Sequence, residues 1–120
     1  MPSMSAKHKP LRMHCPINVT LSVIAGKWKP LILFQLKRGP CRFSRLQSAL
    51  PQVSHKVLTQ QIRQLQRSGL IERSVLAGGR GSSYALTDFG RTLRPLLADL
   101  ARWGTRNAER LEIEIVPPAA

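Results

Sequence analysis

Two short helical segments separated by only three residues constrain the fold of this chain more than any other feature. The first has Ser44 as its predicted N-cap and ends where Pro51 interrupts the helical hydrogen bonds. The second begins at Ser54 and runs to Ser68, with Gly69 as its C-cap. Because two helices joined by so short a turn form a helix-turn-helix, this motif is the predicted centre of the fold.

The apolar residues change from a helical to an alternating period after this motif. Residues 70–75 and 83–86 predict two strands, and the glycine-rich segment 76–82 that joins them carries Arg80. A hairpin that directly follows a helix-turn-helix is a wing. The sequence therefore predicts a mainly α fold with a small β-hairpin, a winged helix-turn-helix.

Two further helices are predicted before the motif. Pro16 suits the first position of a short helix that Gly26 ends, and a second helix runs from Trp28 to Lys37. Apolar residues nearly surround the second helix, so it is the predicted buried centre. We divide the chain into a flexible basic arm (residues 1–14), a winged domain (15–110) and a C-terminal segment (111–120) that is either an extra strand or a tail.

A last helix of about twenty residues is expected after its N-cap, Thr87. It carries one broad apolar face, formed by Phe89, Leu93, Leu96, Leu97, Leu100 and Trp103. A small winged domain can bury only part of this face, so pairing with a second subunit is the predicted use of the rest. The alternative is that the whole face packs within one subunit.

The charge distribution indicates a polyanionic partner. Residues 1–71 carry twelve Lys and Arg and no acid, and this part holds +12 of the net charge of +13. Nucleic acid is the commonest partner of such a chain. The longest apolar run, Leu31 to Phe34, is far too short to span a membrane, and the N-terminus lacks the apolar core of a signal peptide. These features predict a cytoplasmic, nucleoid-associated protein without a membrane partner.

The second helix of the motif has one apolar side and one basic side. Leu58, Ile62 and Leu65 form a core stripe, and the opposite side carries donors but no acid. Such a helix fits the major groove of duplex DNA. The predicted base-contacting residues are Ser54, His55, Lys56, Thr59, Gln60 and Arg63, and Arg67 is predicted to contact phosphate. The alternative is an ordinary solvated face.

Other predicted DNA contacts lie outside this helix. Arg42 and Arg45, at the start of the preceding helix, are expected to face the DNA backbone, and Ser44 belongs to the same set. Arg80 at the wing tip is the candidate for the minor groove or its rim. A loose loop arginine is the alternative for Arg80.

The two cysteines raise a question of redox chemistry. Cys15 begins the first helix beside Arg12 and His14, and such an environment favours a reactive thiolate. Cys15 is therefore a candidate redox sensor, with the less activated Cys41 as a resolving thiol; the alternative, which the spacing alone favours, is an inert buried cysteine. No metal-ligand spacing, catalytic motif or phosphate-binding loop is present, so we predict no cofactor, no metal and no enzyme activity.

The motifs resemble those of the HxlR-type family of bacterial winged helix-turn-helix regulators. The resemblance covers about residues 15–104, in the segments 15–16, 24–33, 39–40, 42–43, 50–51, 54–60, 65, 68–71, 84–87, 90 and 103–104. It implies a homodimeric DNA-binding regulator whose terminal helices form the dimer. It also implies that Cys15 stands where several members detect oxidants or electrophiles, so an oxidant or small-molecule effector is compatible with it.

This chain departs from the family pattern in two places. Its wing is glycine-rich, whereas the family's wing is commonly longer and carries prolines. Gln64, Gln66 and Arg67 replace the acids that usually end the recognition helix, which predicts stronger nonspecific DNA affinity.

The predicted function is regulation of transcription by a homodimer on an inverted-repeat operator, whose half-sites lie about one helical turn apart. A nonspecific nucleic-acid-binding protein and a protein-interaction module are the alternatives. The hairpin's single aromatic residue, Tyr84, offers little stacking surface for RNA.

Overall fold

Residues 10–116 are described by a computed structural model, in which short amphipathic helices surround one apolar core. Helix α1 spans Pro16–Ile24 and α2 spans Lys29–Gln35, continued by a 3-10 turn over Leu36–Arg38. The helix-turn-helix is formed by α3 (Phe43–Ala49) and α4 (His55–Arg67). The predicted arm residues 1–9 lie outside the described part of the chain.

The sheet has three strands rather than the two of the predicted hairpin. Strand β1 is Cys41–Arg42, β2 is Ile71–Val75 and β3 is Ser82–Leu86, all antiparallel in the order β1-β3-β2. Cys41 pairs with Tyr84 and Arg42 with Ser83. A strand of two residues has no detectable period, which explains why the sequence did not reveal it. The predicted fold class is confirmed: the chain is mainly helical with a small antiparallel sheet, and it forms a winged helix-turn-helix.

The prediction that Ser44 caps α3 is wrong. Arg42 occupies the N-cap position with extended backbone angles and makes no side-chain cap hydrogen bond. The chain passes directly from β1 into α3, so Ser44 lies within the first turn of α3. Its carbonyl oxygen accepts a hydrogen bond from the hydroxyl of Ser48 at 3.0 Å.

The prediction of one continuous last helix is also wrong, because the chain forms two helices there. Helix α5 spans Asp88–Arg91 and α6 spans Arg94–Asn107. Pro95 stands in the first turn of α6 and has no N–H to donate to the carbonyl of Arg91. The predicted N-cap Thr87 is confirmed, since its Oγ1 accepts a hydrogen bond from the N–H of Gly90 at 2.9 Å.

The core lies between α2, α4 and the sheet. Its fully buried side chains come mainly from α2 and α4 and are Ile32, Leu33, Leu36, Leu46, Leu58, Ile62, Leu65 and Leu70. The predicted burial of the second helix is confirmed at Ile32, Leu33 and Leu36, but Phe34 is half-buried and Leu31 is exposed. Residues 113–116, the described end of the C-terminal segment, form neither helix nor strand.

None of the helices within residues 10–116 alone has the length and apolar composition to cross a bilayer. Residues 16–24 and 29–38 meet the requirement only when counted together, and they are bent by 75° relative to each other.

Candidate nucleic-acid interface

Helix α4 is fixed in the fold by its cap and its apolar stripe. The Oγ of Ser54 accepts a hydrogen bond from the N–H of Val57 at 3.1 Å, which confirms Ser54 as the N-cap. The predicted stripe of Leu58, Ile62 and Leu65 is buried in the core. These contacts leave the other side of α4 facing outward.

The outward side of α4 carries the residues predicted to contact DNA. Ser54, His55, Lys56, Gln60, Arg63 and Arg67 are exposed, and Thr59 is half-buried. The hydroxyl of Thr59 donates to the carbonyl of His55 at 2.8 Å, so its oxygen remains free to accept. Lys56, Thr59, Gln60, Arg63 and Arg67 thus share the side of α4 opposite its buried stripe, and Ser54 and His55 lie at its N-terminal end.

His55 is held by a contact that the sequence did not predict. Its ring lies 4.7 Å from the ring of Phe43, measured between centroids, with the planes tilted by 52°. Phe43 is the first residue of α3, so the contact joins the N-terminal ends of the two helices. The imidazole therefore has a preferred orientation at the end of α4 that enters a DNA groove in related folds.

Gln47 fixes the turn between α3 and α4, and sequence reasoning missed it. Its Nε2 donates to the carbonyl oxygen of Val53 at 2.7 Å. This bond ties the last turn of α3 to the residue before the α4 N-cap. A polar residue at position 47 of an otherwise amphipathic helix gives no recognisable signal of such a role, because the partner is a backbone atom.

The wing tip is connected to the start of α3. Arg42, Arg45 and Ser44 are all exposed, and Arg42 Nη2 donates to the carbonyl oxygen of Arg80 at 3.3 Å. The hairpin loop is closed by a hydrogen bond from the N–H of Leu76 to the carbonyl of Gly81 at 3.1 Å. Arg80 itself is exposed, so its guanidinium projects from a loop that Arg42 anchors.

A second arginine on the wing was missed by the sequence interpretation. Arg73 on β2 donates from Nε to the Oγ of Ser82 at 2.7 Å. It lines a cavity of about 330 Å³ together with Arg63 and Tyr84. The strand alternation places Arg73 on the side facing α4, which is the signal that could have identified it.

The positive charges of the candidate interface are not paired with acidic side chains of the described residues. Among residues 10–116 the structure shows two ion pairs, Asp88–Arg91 in α5 and Asp99–Arg102 in α6. The arginines of α3, α4 and the wing tip form no ion pair within this range. An acid-free surface formed by three elements is suited to a polyanion.

The two cysteines differ in exposure. Cys15 is exposed at the N-cap of α1, where its carbonyl oxygen accepts from the N–H of Asn18 at 3.0 Å. Cys41 is half-buried, and its Sγ donates to the carbonyl oxygen of Arg42 at 3.6 Å. Burial raises the pKa of the Cys41 thiol, and the charge of nearby Arg45 partly opposes that shift.

The predicted dimerisation residues divide into two groups. Leu97 is 3% exposed, and Leu93 and Leu96 pack against the core of the subunit. Phe89, Leu100 and Trp103 are 48%, 50% and 62% exposed. Helix α1 also presents apolar side chains to solvent, at Ile17, Val19 and Leu21.

Comparison with known proteins gives consistent matches along most of the chain. The profile of the HxlR-like helix-turn-helix family matches residues 23–112. The HTH-type transcriptional regulator YdeP of Bacillus subtilis (strain 168) is 37% identical over 99 residues, which cover 82% of this chain and 77% of YdeP.

Solved structures of two regulators share the fold. The redox regulator HypR in its reduced form is 35% identical with a TM-score of 0.78, covering 82% of this chain and 98% of HypR. The reduced form of the transcriptional regulator YodB from B. subtilis is 28% identical with a TM-score of 0.68, covering 82% of this chain and 98% of YodB. With this sequence, this fold and these relatives, the chain belongs to the HxlR-like helix-turn-helix family of transcriptional regulators.

Proposed function

We propose that this regulator acts as a homodimer that reads specific duplex-DNA sites and is associated with the nucleoid. The observation that carries the proposal is the acid-free surface made by the outward side of α4, the start of α3 and Arg80. Lys and Arg reach guanine O6 and N7 in the major groove, and Gln60 pairs with adenine N6 and N7. Arg42, Ser44, Arg45 and Arg67 contact phosphate, and Arg80 enters the minor groove or its rim.

The exposed apolar side chains support the dimer. Ile17 is 66% exposed on α1, and Leu100 and Trp103 are exposed on α6. Large apolar side chains left open on two helices at the chain termini mark an association surface. A two-fold dimer formed there presents two α4 helices to an inverted repeat. Residues 15–110 act as the folded unit in this arrangement, and residues 117–120 of the C-terminal segment lie outside the described part of the chain.

Competition binding to fragments of genomic DNA tests the proposal. The protein is incubated with the fragments at about 150 mM salt, and the retained DNA is sequenced. A few enriched inverted-repeat sites are the expected result. Tight binding with a flat profile would instead indicate a nonspecific nucleic-acid-binding protein, and the absence of binding at modest salt would indicate a protein-interaction module.

We also propose Cys15 as the thiol through which oxidants or electrophiles release the DNA. The support is its exposure at the start of α1 and the likeness of the chain to HypR and YodB. Diamide accepts two electrons and two protons as two thiols join in a disulfide. In a DNA-binding assay, diamide should release wild-type protein but leave the Cys15→Ser variant bound. The Cys41→Ser variant tests whether Cys41 is the second thiol, and release that survives Cys15→Ser would overturn the assignment.

A further inference from the structure

Two cavities share lining residues at the end of α2: the larger is completed by β1 and the start of α3, and the smaller by α6. The larger, about 690 Å³, is lined by residues 34–35, 37–41 and Arg45. The smaller, about 410 Å³, is lined by Phe34, Lys37, Arg38, Arg94, Leu97, Ala98 and Ala101. Phe34, Lys37 and Arg38 line both, so the two cavities share one wall, and we refer to them together as the recess. Each volume lies in the range of small-molecule sites.

The recess is lined by both apolar and positively charged side chains. Phe34, Leu97 and Ala101 supply apolar surface in the smaller cavity, where Lys37, Arg38 and Arg94 supply the charges. Arg45 adds a cation in the larger cavity, and neither cavity is lined by a carboxylate. Such a lining complements a molecule that has one apolar body and one anionic group.

Lys37 is already arranged for this chemistry. Its Nζ lies 3.4 Å from the centroid of the Phe34 ring, in a cation-π contact. The contact holds the ammonium group against the aromatic wall that both cavities share. An anion bound by Lys37 therefore brings its attached apolar body next to Phe34.

The recess is distinct from the proposed dimer surface. At 100° per residue, the α6 residues that line it fall within an arc of about 100°. Leu100 and Trp103 lie about 110° and 170° from the centre of that arc. Leu100 and Trp103 therefore lie outside the arc that lines the recess, although Leu100 is only about 60° from Leu97 at its edge, and a dimer formed through Leu100 and Trp103 does not require the recess.

We propose that this recess binds a small organic acid with an aromatic or branched apolar body. Its carboxylate is held by Lys37, Arg38 and Arg94, and its apolar part packs on Phe34, Leu97 and Ala101. We infer in addition that the bound acid alters DNA affinity, because Cys41 lines the recess and is continuous with Arg42, which holds the wing at Arg80. This coupling rests on the proposed function, whereas the binding site itself does not.

Direct binding of 2-naphthoate, measured without DNA by calorimetry, tests the site. We expect saturable binding of one molecule per chain. The variant with both Lys37→Gln and Arg94→Gln should bind about tenfold more weakly or worse, because two charge-assisted contacts are lost. The matched control, Arg106→Gln with Arg110→Gln, removes the same charge outside the recess and should bind normally.

Further variants and ligands distinguish binding at this site from a general attraction of a basic chain for anions. Ala101→Phe keeps every charge and fills the apolar part of the recess, so it should abolish binding while circular dichroism shows an unchanged fold. Neutral 2-naphthylmethanol and inorganic phosphate should each bind at least about tenfold more weakly than naphthoate. Equal binding of phosphate, or equal loss in the Arg106 and Arg110 control, would overturn the site.

The coupling is tested by titrating DNA with and without saturating 2-naphthoate. DNA affinity should change in the wild type and stay constant in the Lys37 and Arg94 double variant. Naphthoate binding with unchanged DNA affinity would overturn the coupling alone. Naphthoate binding by a protein that does not bind DNA would instead overturn the proposed function and leave the site standing.

Discussion

Arg42, on an edge strand of the sheet, donates a hydrogen bond from its Nη2 to the carbonyl oxygen of Arg80 at the wing tip, at 3.3 Å. The two residues are 38 positions apart in the chain, so this bond joins the start of α3 to a loop formed much later. It provides a physical link between the two elements that flank α4 on the proposed DNA-binding surface.

Removing this link should loosen the wing. Arg42→Ala deletes a hydrogen bond of about 1 kcal/mol, so amide hydrogen exchange in residues 77–81 should accelerate about fivefold. Arg45→Ala serves as the control because Arg45 makes no hydrogen bond to the wing within the described residues. Both variants should weaken DNA binding, but only Arg42→Ala should change the exchange rates. Unchanged exchange in Arg42→Ala would show that the loop is held by its own backbone.

Local features of the fold could be predicted from the sequence, and contacts between distant segments could not. The caps Ser54 and Thr87 and the buried stripe of α4 depend on residues within a few positions of one another, and each is confirmed. Strand β1 exists because it pairs with β3, about 40 residues later, and its two residues carry no pattern of their own.

The same distinction between local features and contacts of distant segments applies to the candidate site. The α4 face could be derived from helical periodicity, because one helix displays it. The contacts of His55 with Phe43, of Arg42 with Arg80 and of Gln47 with Val53 depend on tertiary packing or on a backbone partner. The break before α6 could have been predicted from Pro95, which cannot continue a helical hydrogen-bond pattern. The apolar period across residues 89–103 instead favoured one continuous helix.

Arg63 and Arg67 should affect DNA binding differently. If Arg63 contacts a base, Arg63→Ala should cost about 1–3 kcal/mol and relax the preference at one base pair of each half-site. Arg67→Ala should weaken all sequences equally and reduce the salt slope by about 1. Binding to a panel of single-base operator variants at several salt concentrations distinguishes the two. A uniform loss in Arg63→Ala would assign that arginine to the phosphates.

The alkylation of Cys41 should require a higher pH than that of a free thiol. Burial raises the pKa of Cys41, so less thiolate is present at neutral pH, and the positive charge of Arg45 limits the rise. Arg45→Gln should therefore shift the midpoint of the iodoacetamide reaction to higher pH in a Cys15→Ser background. Arg38→Gln is the control at a nearby cation that is not a cause of the shift. A midpoint that Arg45→Gln leaves unchanged would contradict this account.

Gly90 packs so closely on the backbone of Leu70, the residue before β2, that no side chain fits. A Cβ added there would overlap the carbonyl oxygen of Leu70 and lie 3.0 Å from its carbonyl carbon. Gly90→Ala should therefore lower the free energy of unfolding by about 2 kcal/mol or more. Gly104, within α6, has nothing within 4 Å of an added Cβ, so Gly104→Ala should raise that free energy by about 0.5–1 kcal/mol.

Urea unfolding of the two glycine variants at one protein concentration provides the comparison. The fixed concentration matters because a dimer's stability depends on it. Equal stability of Gly90→Ala and the wild type would mean that α5 moves away from the backbone of Leu70 at little cost. A loss of stability in Gly104→Ala would indicate that α6 approaches another chain closely at this position.

Leu97 and Leu100 lie on the same broad face of α6 but should affect different equilibria. Leu97 is 3% exposed, so Leu97→Ala should lower the free energy of unfolding of the subunit by about 2–5 kcal/mol. Leu100 is 50% exposed within the subunit, so Leu100→Ala should leave subunit folding nearly unchanged and raise the dimer dissociation constant. Sedimentation velocity over a range of concentrations measures dissociation, and urea unfolding measures folding. If Leu100→Ala and Trp103→Ala both sediment as the wild type does, the dimer does not use these exposed side chains of α6.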